Sequence, residues 1–220
     1  MASTIEMEFE ACGEAQRRET GRLLRESGYD IYCAESVMPP NNRVTRLLGR
    51  VISSCSVESA LDVGCGTGIL ALIAARRCGH VRGVDISPAA VECARGNALR
   101  NALAEAVQFD LGDAFEGVHG RRFDLIFSNP PFYPAGRPRL DAADISLLPI
   151  QANGLIEKLI HSTRHHLNPG GRLLFVTSSL SDNRTIASML ANLGHRYSCT
   201  LLREGGAASQ DILLWDIRPS

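Results

Sequence analysis

Leu61-Asp62-Val63-Gly64-Cys65-Gly66-Thr67-Gly68 constrains the fold more than any other stretch, because glycine at every second position breaks a strand and a helix alike. Ser59 to Val63 before it has the short apolar character of a buried strand, and Ile69 to Cys78 after it is an apolar run that reads as a core-facing helix. Strand, glycine turn and helix in that order let a ligand approach the main chain closely, with the helix amides directed at any negative group held there. Dinucleotide enzymes use a similar turn but space its glycines G-x-G-x-x-G instead of alternately.

Three further stretches fall in register with the first. Asp85 ends the next apolar strand, His80 to Asp85, and lies 17 residues beyond Gly68, where an acidic side chain can accept hydrogen bonds from two ribose hydroxyls. Asp113, followed by Ala114-Phe115, ends the third strand region and offers a carboxylate and an aromatic ring suited to the edge and face of adenine. After the fourth strand, Phe123 to Ser128, comes Asn129-Pro130-Pro131-Phe132. Ligands of open α/β sheets bind at the carboxyl ends of the strands, so these motifs converge in space although they are distant in sequence.

Together these residues resemble the S-adenosylmethionine-dependent methyltransferases of the Rossmann-like class, in the branch with an Asn-Pro-Pro-aromatic motif that includes the small-domain and glutamine methyltransferases. The resemblance runs from Pro39 to the C-terminus. It implies an α/β fold with a doubly wound, mostly parallel seven-stranded sheet and an antiparallel closing strand. It also implies S-adenosylmethionine as cofactor, with Asp62, Gly64 and Gly66 around the amino-acid end, Asp85 on the ribose hydroxyls, Asp113 on adenine, and Gly68, Ile86, Ala114 and Asn129 among the other cofactor-binding residues.

The chemistry is expected at Asn129, Pro130 and Phe132. Methyl transfer is an in-line displacement, so the acceptor lone pair must lie along the carbon–sulfur axis with water excluded. An amide or aniline-like nitrogen is a poor nucleophile because its lone pair is delocalised. The Asn129 side-chain oxygen and the Pro130 carbonyl can each accept one N–H of an NH₂ group, orienting it and drawing its density toward the methyl. Phe132, with Tyr133, offers a face for a planar acceptor or a sulfonium. Tyr29, Tyr32 and Arg137 are further candidates for substrate contact. A methyltransferase-like enzyme that cyclises S-adenosylmethionine itself to azetidine-2-carboxylate, releasing methylthioadenosine, is the alternative use of the same pocket.

The remaining segments read as scaffold. Ile5 to Arg25 has the charge pattern and apolar spacing of a helix, closed by Ser27-Gly28-Tyr29, and residues 1–36 form an N-terminal helical arm that either packs on the sheet or acts as a lid over the 37–220 methyltransferase domain. Asn42 caps a helix from Val44 to Ser53, on which Thr45 is either an ordinary helix residue, the preferred reading, or faces the methionine end of the cofactor. Ser87-Pro88 starts a helix ending at Arg100. A helix over 153–167, a strand over 172–178, a helix over 182–193 and a closing pair of strands over 196–203 and 211–217 complete the order.

Seven scattered cysteines without a Cys-x-x-Cys pair argue against disulfides and zinc knuckles. His161 and His165, four apart on a helix, have no third ligand near them in sequence, so no metal is expected. No segment approaches the ~18 apolar residues of a membrane span, and Met1 to Glu10 lacks the form of a signal peptide, so the chain is expected in the cytoplasm. Of its 23 basic residues all but Lys158 are arginine, in runs of no more than two, and the net charge is −1. With no basic stripe, a small molecule or peptide is expected as methyl acceptor ahead of RNA.

Overall fold

In a computed structural model of the chain, the structure describes residues 21–131, 152–179, 181–203 and 211–219. A hairpin, β1 (Arg22–Glu26) and β2 (Tyr29–Cys33), precedes an α/β unit of α1 (Arg43–Ser53), β3 (Val57–Val63), α2 (Ile69–Ala74), β4 (Cys78–Asp85), α3 (Pro88–Arg100), β5 (Val107–Leu111) and β6 (Phe123–Ser128). It continues through α4 (Ala152–His166), β7 (Leu167–Ser178), α5 (Asn183–Asn192), β8 (Arg196–Leu202) and β9 (Ile212–Arg218). The main sheet has seven strands in the order β5-β4-β3-β6-β7-β9-β8, all parallel except β9, which runs antiparallel to both neighbours. This is the doubly wound, mostly parallel sheet the sequence predicts. No helix among the described residues is long and apolar enough to cross a membrane.

The strands at the centre are covered on both faces, which explains their continuous apolar sequences. Leu125, Ile126 and Phe127 of β6 are all fully buried, Leu125 and Phe127 in one cluster with α1, α2 and α3, and Ile126 in the other with α4 and α5. Burial of each such side chain contributes about 1.5–3 kcal/mol. The order reverses at β3, whose neighbours are β4 and β6, so the crevice between their carboxyl ends is the switch point at which such folds bind ligands.

The sequence misleads over residues 22–33. The helix expected to reach Arg25 lies partly in 1–20, outside the described residues, but Arg22–Glu26 is a strand and Ser27-Gly28 is a two-residue hairpin turn. Both turn residues have positive φ, 52° and 86°, the type I′ geometry whose twist suits a hairpin. Alternation settles the rest, since Tyr29, Ile31 and Cys33 of β2 point inward and Tyr32 points outward. The helix after the glycine turn is also shorter than expected and ends at Ala74, because Cys78 already begins β4.

Candidate active site

The glycine turn is built as its spacing requires. Gly64, Gly66 and Gly68 all have positive φ, and a Cβ on Gly68 would sit 2.9 Å from the Phe109 ring and 3.0 Å from the Ala94 Cβ. The Gly64 and Cys65 amides donate to the Val84 carbonyl, tying the turn to β4. Asp85 completes the tie, one carboxylate oxygen accepting from the Gly66 amide at 2.9 Å and the other from the Ser87 amide at 2.9 Å. Each of its oxygens retains a lone pair to accept a hydroxyl.

Asp62 is only 1% exposed, and neither carboxylate oxygen has a hydrogen-bond partner. Burial, and secondarily the Asp85 charge, pushes its carboxyl up to about 8; the nearby Ala71 amide pulls the other way without reaching hydrogen-bonding geometry. A buried acid left unpartnered beside a glycine cradle suits a ligand carrying an ammonium group and donor hydroxyls.

The neighbouring strand ends carry exposed apolar side chains. Ile86 is 68% exposed and Leu111 54%, at the ends of two paired strands. Asp113 lies just beyond Leu111 and forms an ion pair with Lys158 of α4, while Ala114 beside it has φ 55°. The sequence singles Lys158 out as the one lysine but gives no signal that it pairs with Asp113.

Asn129 and Pro130 leave the carboxyl end of β6, held to β3 by the Ser128 hydroxyl, which donates to the Val63 carbonyl at 2.7 Å. The Asn129 side-chain NH₂ donates to the Thr45 hydroxyl at 3.4 Å. Thr45 is buried on α1, whose start is fixed by Asn42: its side-chain oxygen accepts the Thr45 amide at 2.8 Å and its NH₂ donates to the Pro39 carbonyl. Thr45 is thus part of the site and not an ordinary helix residue. With the NH₂ engaged, the Asn129 oxygen is the atom available to an acceptor.

The tyrosines fare differently. Tyr29 is buried, its hydroxyl donating to the Leu72 carbonyl at 2.7 Å and accepting from Arg76, whose guanidinium also lies 4.7 Å from the ring centroid, so it serves the scaffold and not a substrate. Tyr32 lies with Cys93 and Asn97 in a shallow cleft between the hairpin and α3, and its main chain is held by Asn97. Phe132, Tyr133 and Arg137 lie outside the described residues. Asn97 was missed in the sequence, although an asparagine in register with Ala90, Val91 and Ala94 on the buried stripe of α3 is the signal of a buried polar clamp.

Residues 40–199 match the Methyltransferase small domain family. The chain belongs to that family. It is 36% identical over 145 residues to the tRNA1(Val) (adenine(37)-N6)-methyltransferase of Porphyromonas gingivalis, covering 60% of this chain and 54% of that protein. It is 37% identical over 146 residues to the release factor glutamine methyltransferase of Vibrio cholerae, covering 62% and 50%. The chain therefore spans about half the length of these curated relatives. A methyltransferase structure from Pyrococcus furiosus superposes with a TM-score of 0.64 at 22% identity, covering 99% of this chain and 100% of that one, a likeness of fold.

The chain thus carries a methyltransferase small domain, which implies S-adenosylmethionine as cofactor. The orphaned Asp62 carboxylate, the glycine cradle, Asp85 and the apolar pair Ile86 and Leu111 fit the ammonium, main-chain, ribose and base portions of that cofactor. The preference for a small molecule or peptide over RNA is overturned. Relatives with this domain are named for tRNA, ribosomal RNA and a protein factor. The basic spacing hidden in the linear sequence also appears on α1, where Arg43, Arg46 and Arg50 recur three and four residues apart without an acid in the helix.

Proposed function

We propose that this methyltransferase alkylates the exocyclic amine of an RNA base, with adenine N6 as the type of acceptor. The observation that carries this reading is the Asn129 to Thr45 hydrogen bond, which commits the side-chain NH₂ and leaves the oxygen as an acceptor of N–H. An aromatic NH₂ presents two N–H bonds in one plane. The Asn129 oxygen takes one and the Pro130 carbonyl takes the other, so the nitrogen lone pair turns out of the plane. S-adenosylmethionine supplies an activated methyl group. The chain's own residues hold it, through Asp62, Gly64, Gly66, Gly68, Asp85, Ile86, Asp113 and Ala114, and hold the acceptor in line. As the N–C bond forms, the C–S electron pair stays with sulfur, and the surplus proton leaves the nitrogen for solvent.

Adenine is favoured over a glutamine amide because α1 brings arginines to the helix that positions Asn129; the tRNA adenine and release factor glutamine relatives match the chain to the same extent and do not separate the two. The test is transfer from methyl-labelled cofactor into cell extract split between nuclease and protease treatment. Label removed by nuclease and recovered as N6-methyladenosine is expected; label that survives nuclease and is lost to protease assigns the acceptor to protein. Cyclisation of the cofactor has a separate signature, methylthioadenosine released at catalytic turnover with no acceptor present, and no contact in the site favours it.

A further inference from the structure

A cluster of exposed basic side chains lies away from the catalytic crevice, at the amino ends of β6 and β7. Arg121 and Arg122 precede β6, Arg164 and His165 end α4, and Arg218 ends β9 on the far side of β7; all five are exposed. The edge is rigidly built. The Arg122 guanidinium donates to the Leu167 carbonyl at 2.6 Å and the Arg164 carbonyl at 3.2 Å, and Arg218 donates to the Gly170 carbonyl. His166 stacks on Phe115, with ring centroids 4.4 Å apart, and one of its ring nitrogens lies 3.2 Å from the Arg121 carbonyl. The acids nearest this edge are already engaged, Asp124 with Ser59 and Asn168 and Asp216 with Arg172.

Helix α4 links this edge to the active site. Its exposed residues are Glu157, Lys158, His161, Arg164 and His165, and Lys158, His161 and His165 recur at i, i+3 and i+7 along one stripe. The upper end of the stripe is Lys158 on Asp113 at the crevice, and the lower end is the arginine edge. With a rise of about 1.5 Å per residue the stripe from Lys158 to His165 spans about 10 Å.

We propose that the outer stripe of α4 and the arginine edge below it form a track for the phosphate backbone of a folded RNA whose reactive base occupies the crevice. Guanidinium groups suit phosphate oxygens, and the arginine edge lies about 20 Å from Asn129, the length of the six-residue β6, a distance that a folded stem spans and a short oligonucleotide does not. The inference rests on the RNA reading above, and it places the recognition of the acceptor's overall shape on the α4 face, leaving the base itself to Asn129.

The probe is bulk tRNA, with binding followed by fluorescence anisotropy across a range of salt concentrations, for the parent and for Arg121→Glu/Arg164→Glu. Arg122 is left intact because it anchors β7. The parent is expected to bind tRNA with strong salt dependence, and the variant about 10-fold or more weakly with a log–log salt slope shallower by about 2. Calorimetric S-adenosylmethionine affinity and transfer to a short adenosine-containing oligoribonucleotide are expected to be unchanged in the variant, which also reports its folding. If charge reversal impairs folding, Arg121→Gln/Arg164→Gln carries the same expectation at smaller amplitude. Equal tRNA affinity and slope in parent and variants overturn the track while leaving the RNA reading intact if the parent still methylates tRNA. A parent that binds tRNA in this way but places label only in protein overturns the acceptor assignment instead.

Discussion

The Thr45 hydroxyl accepts the Asn129 side-chain amide at 3.4 Å across 84 residues of sequence, joining the first turn of α1 to the carboxyl end of β6. This contact fixes which end of the Asn129 amide faces the crevice. Replacing Thr45 by Val keeps the shape and removes the hydroxyl, freeing the amide to rotate. The expected outcome is a fall in kcat of about 10- to 100-fold, by analogy with losing one positioned polar contact in a transition state. Cofactor affinity by calorimetry should stay within about 2-fold, since uniform binding is untouched. A variant with parental kcat would remove Thr45 from the site.

How much of this was legible in the sequence depends on the range of the interaction involved. The main-sheet strands and most of the helices were, because binary pattern, Ser87-Pro88 and the Gly64-Cys65-Gly66-Thr67-Gly68 turn act within a few residues. Lys158 was not, because its role comes from a partner at 113 that only the tertiary fold brings near, and for Thr45 the sequence allowed two readings between which the partner at 129 decides. The hairpin was misread for a different reason. Leu23-Leu24 among arginines and glutamates satisfies a helical pattern as well as a strand, and the decisive signal was the Ser27-Gly28 turn, taken as a helix stop.

Asp85 should be needed twice, for the loop and for the cofactor. Its oxygens hold the Gly66 and Ser87 amides, so Asp85→Ala strands two main-chain donors before any ligand arrives. Each unsatisfied donor costs about 1–3 kcal/mol where water is excluded. S-adenosylmethionine affinity should therefore fall at least about 10-fold, with a lower Tm of the cofactor-free protein. An unchanged dissociation constant in calorimetric titration would refute the assignment.

Asp62 makes the cofactor-free protein sensitive to pH. Its carboxyl rises from an ordinary value of 3.8 to about 8 on folding, so between these limits the folded chain holds a proton that the unfolded chain has released. Stability from this group is complete below about pH 4 and is lost as pH rises through about 8, with a slope of up to about 1.4 kcal/mol per pH unit. Urea denaturation at several pH values should show the decline, and Asp62→Asn should flatten it. Cofactor binding by that variant should be weaker, because the ammonium loses its carboxylate partner.

The hairpin is fastened to α3 by two asparagines one turn apart. Asn101 accepts the Asp30 amide at 3.0 Å and donates to the Asp30 carbonyl at 2.9 Å; Asn97 accepts the Tyr32 amide at 2.8 Å and donates to the Tyr32 carbonyl at 2.9 Å. Asn101 also donates to the Asn97 carbonyl at 2.8 Å, but of the two Asn97 is the one that reaches the glycine turn, its NH₂ donating to the Thr67 carbonyl at 3.0 Å. The two clamps therefore separate packing from coupling. Asn101→Ala should loosen the hairpin, raising amide exchange at Asp30, while leaving S-adenosylmethionine affinity in place. Asn97→Ala should raise exchange at Tyr32, destabilise the fold by about 1–3 kcal/mol, and also weaken cofactor binding, because the Thr67 carbonyl loses its buried donor. If the N-terminal segment serves as a lid, cofactor should slow exchange at Asp30 and Tyr32 in the parent and lose that effect in Asn97→Ala. Equal exchange with and without cofactor in the parent would leave the hairpin as a packing element alone.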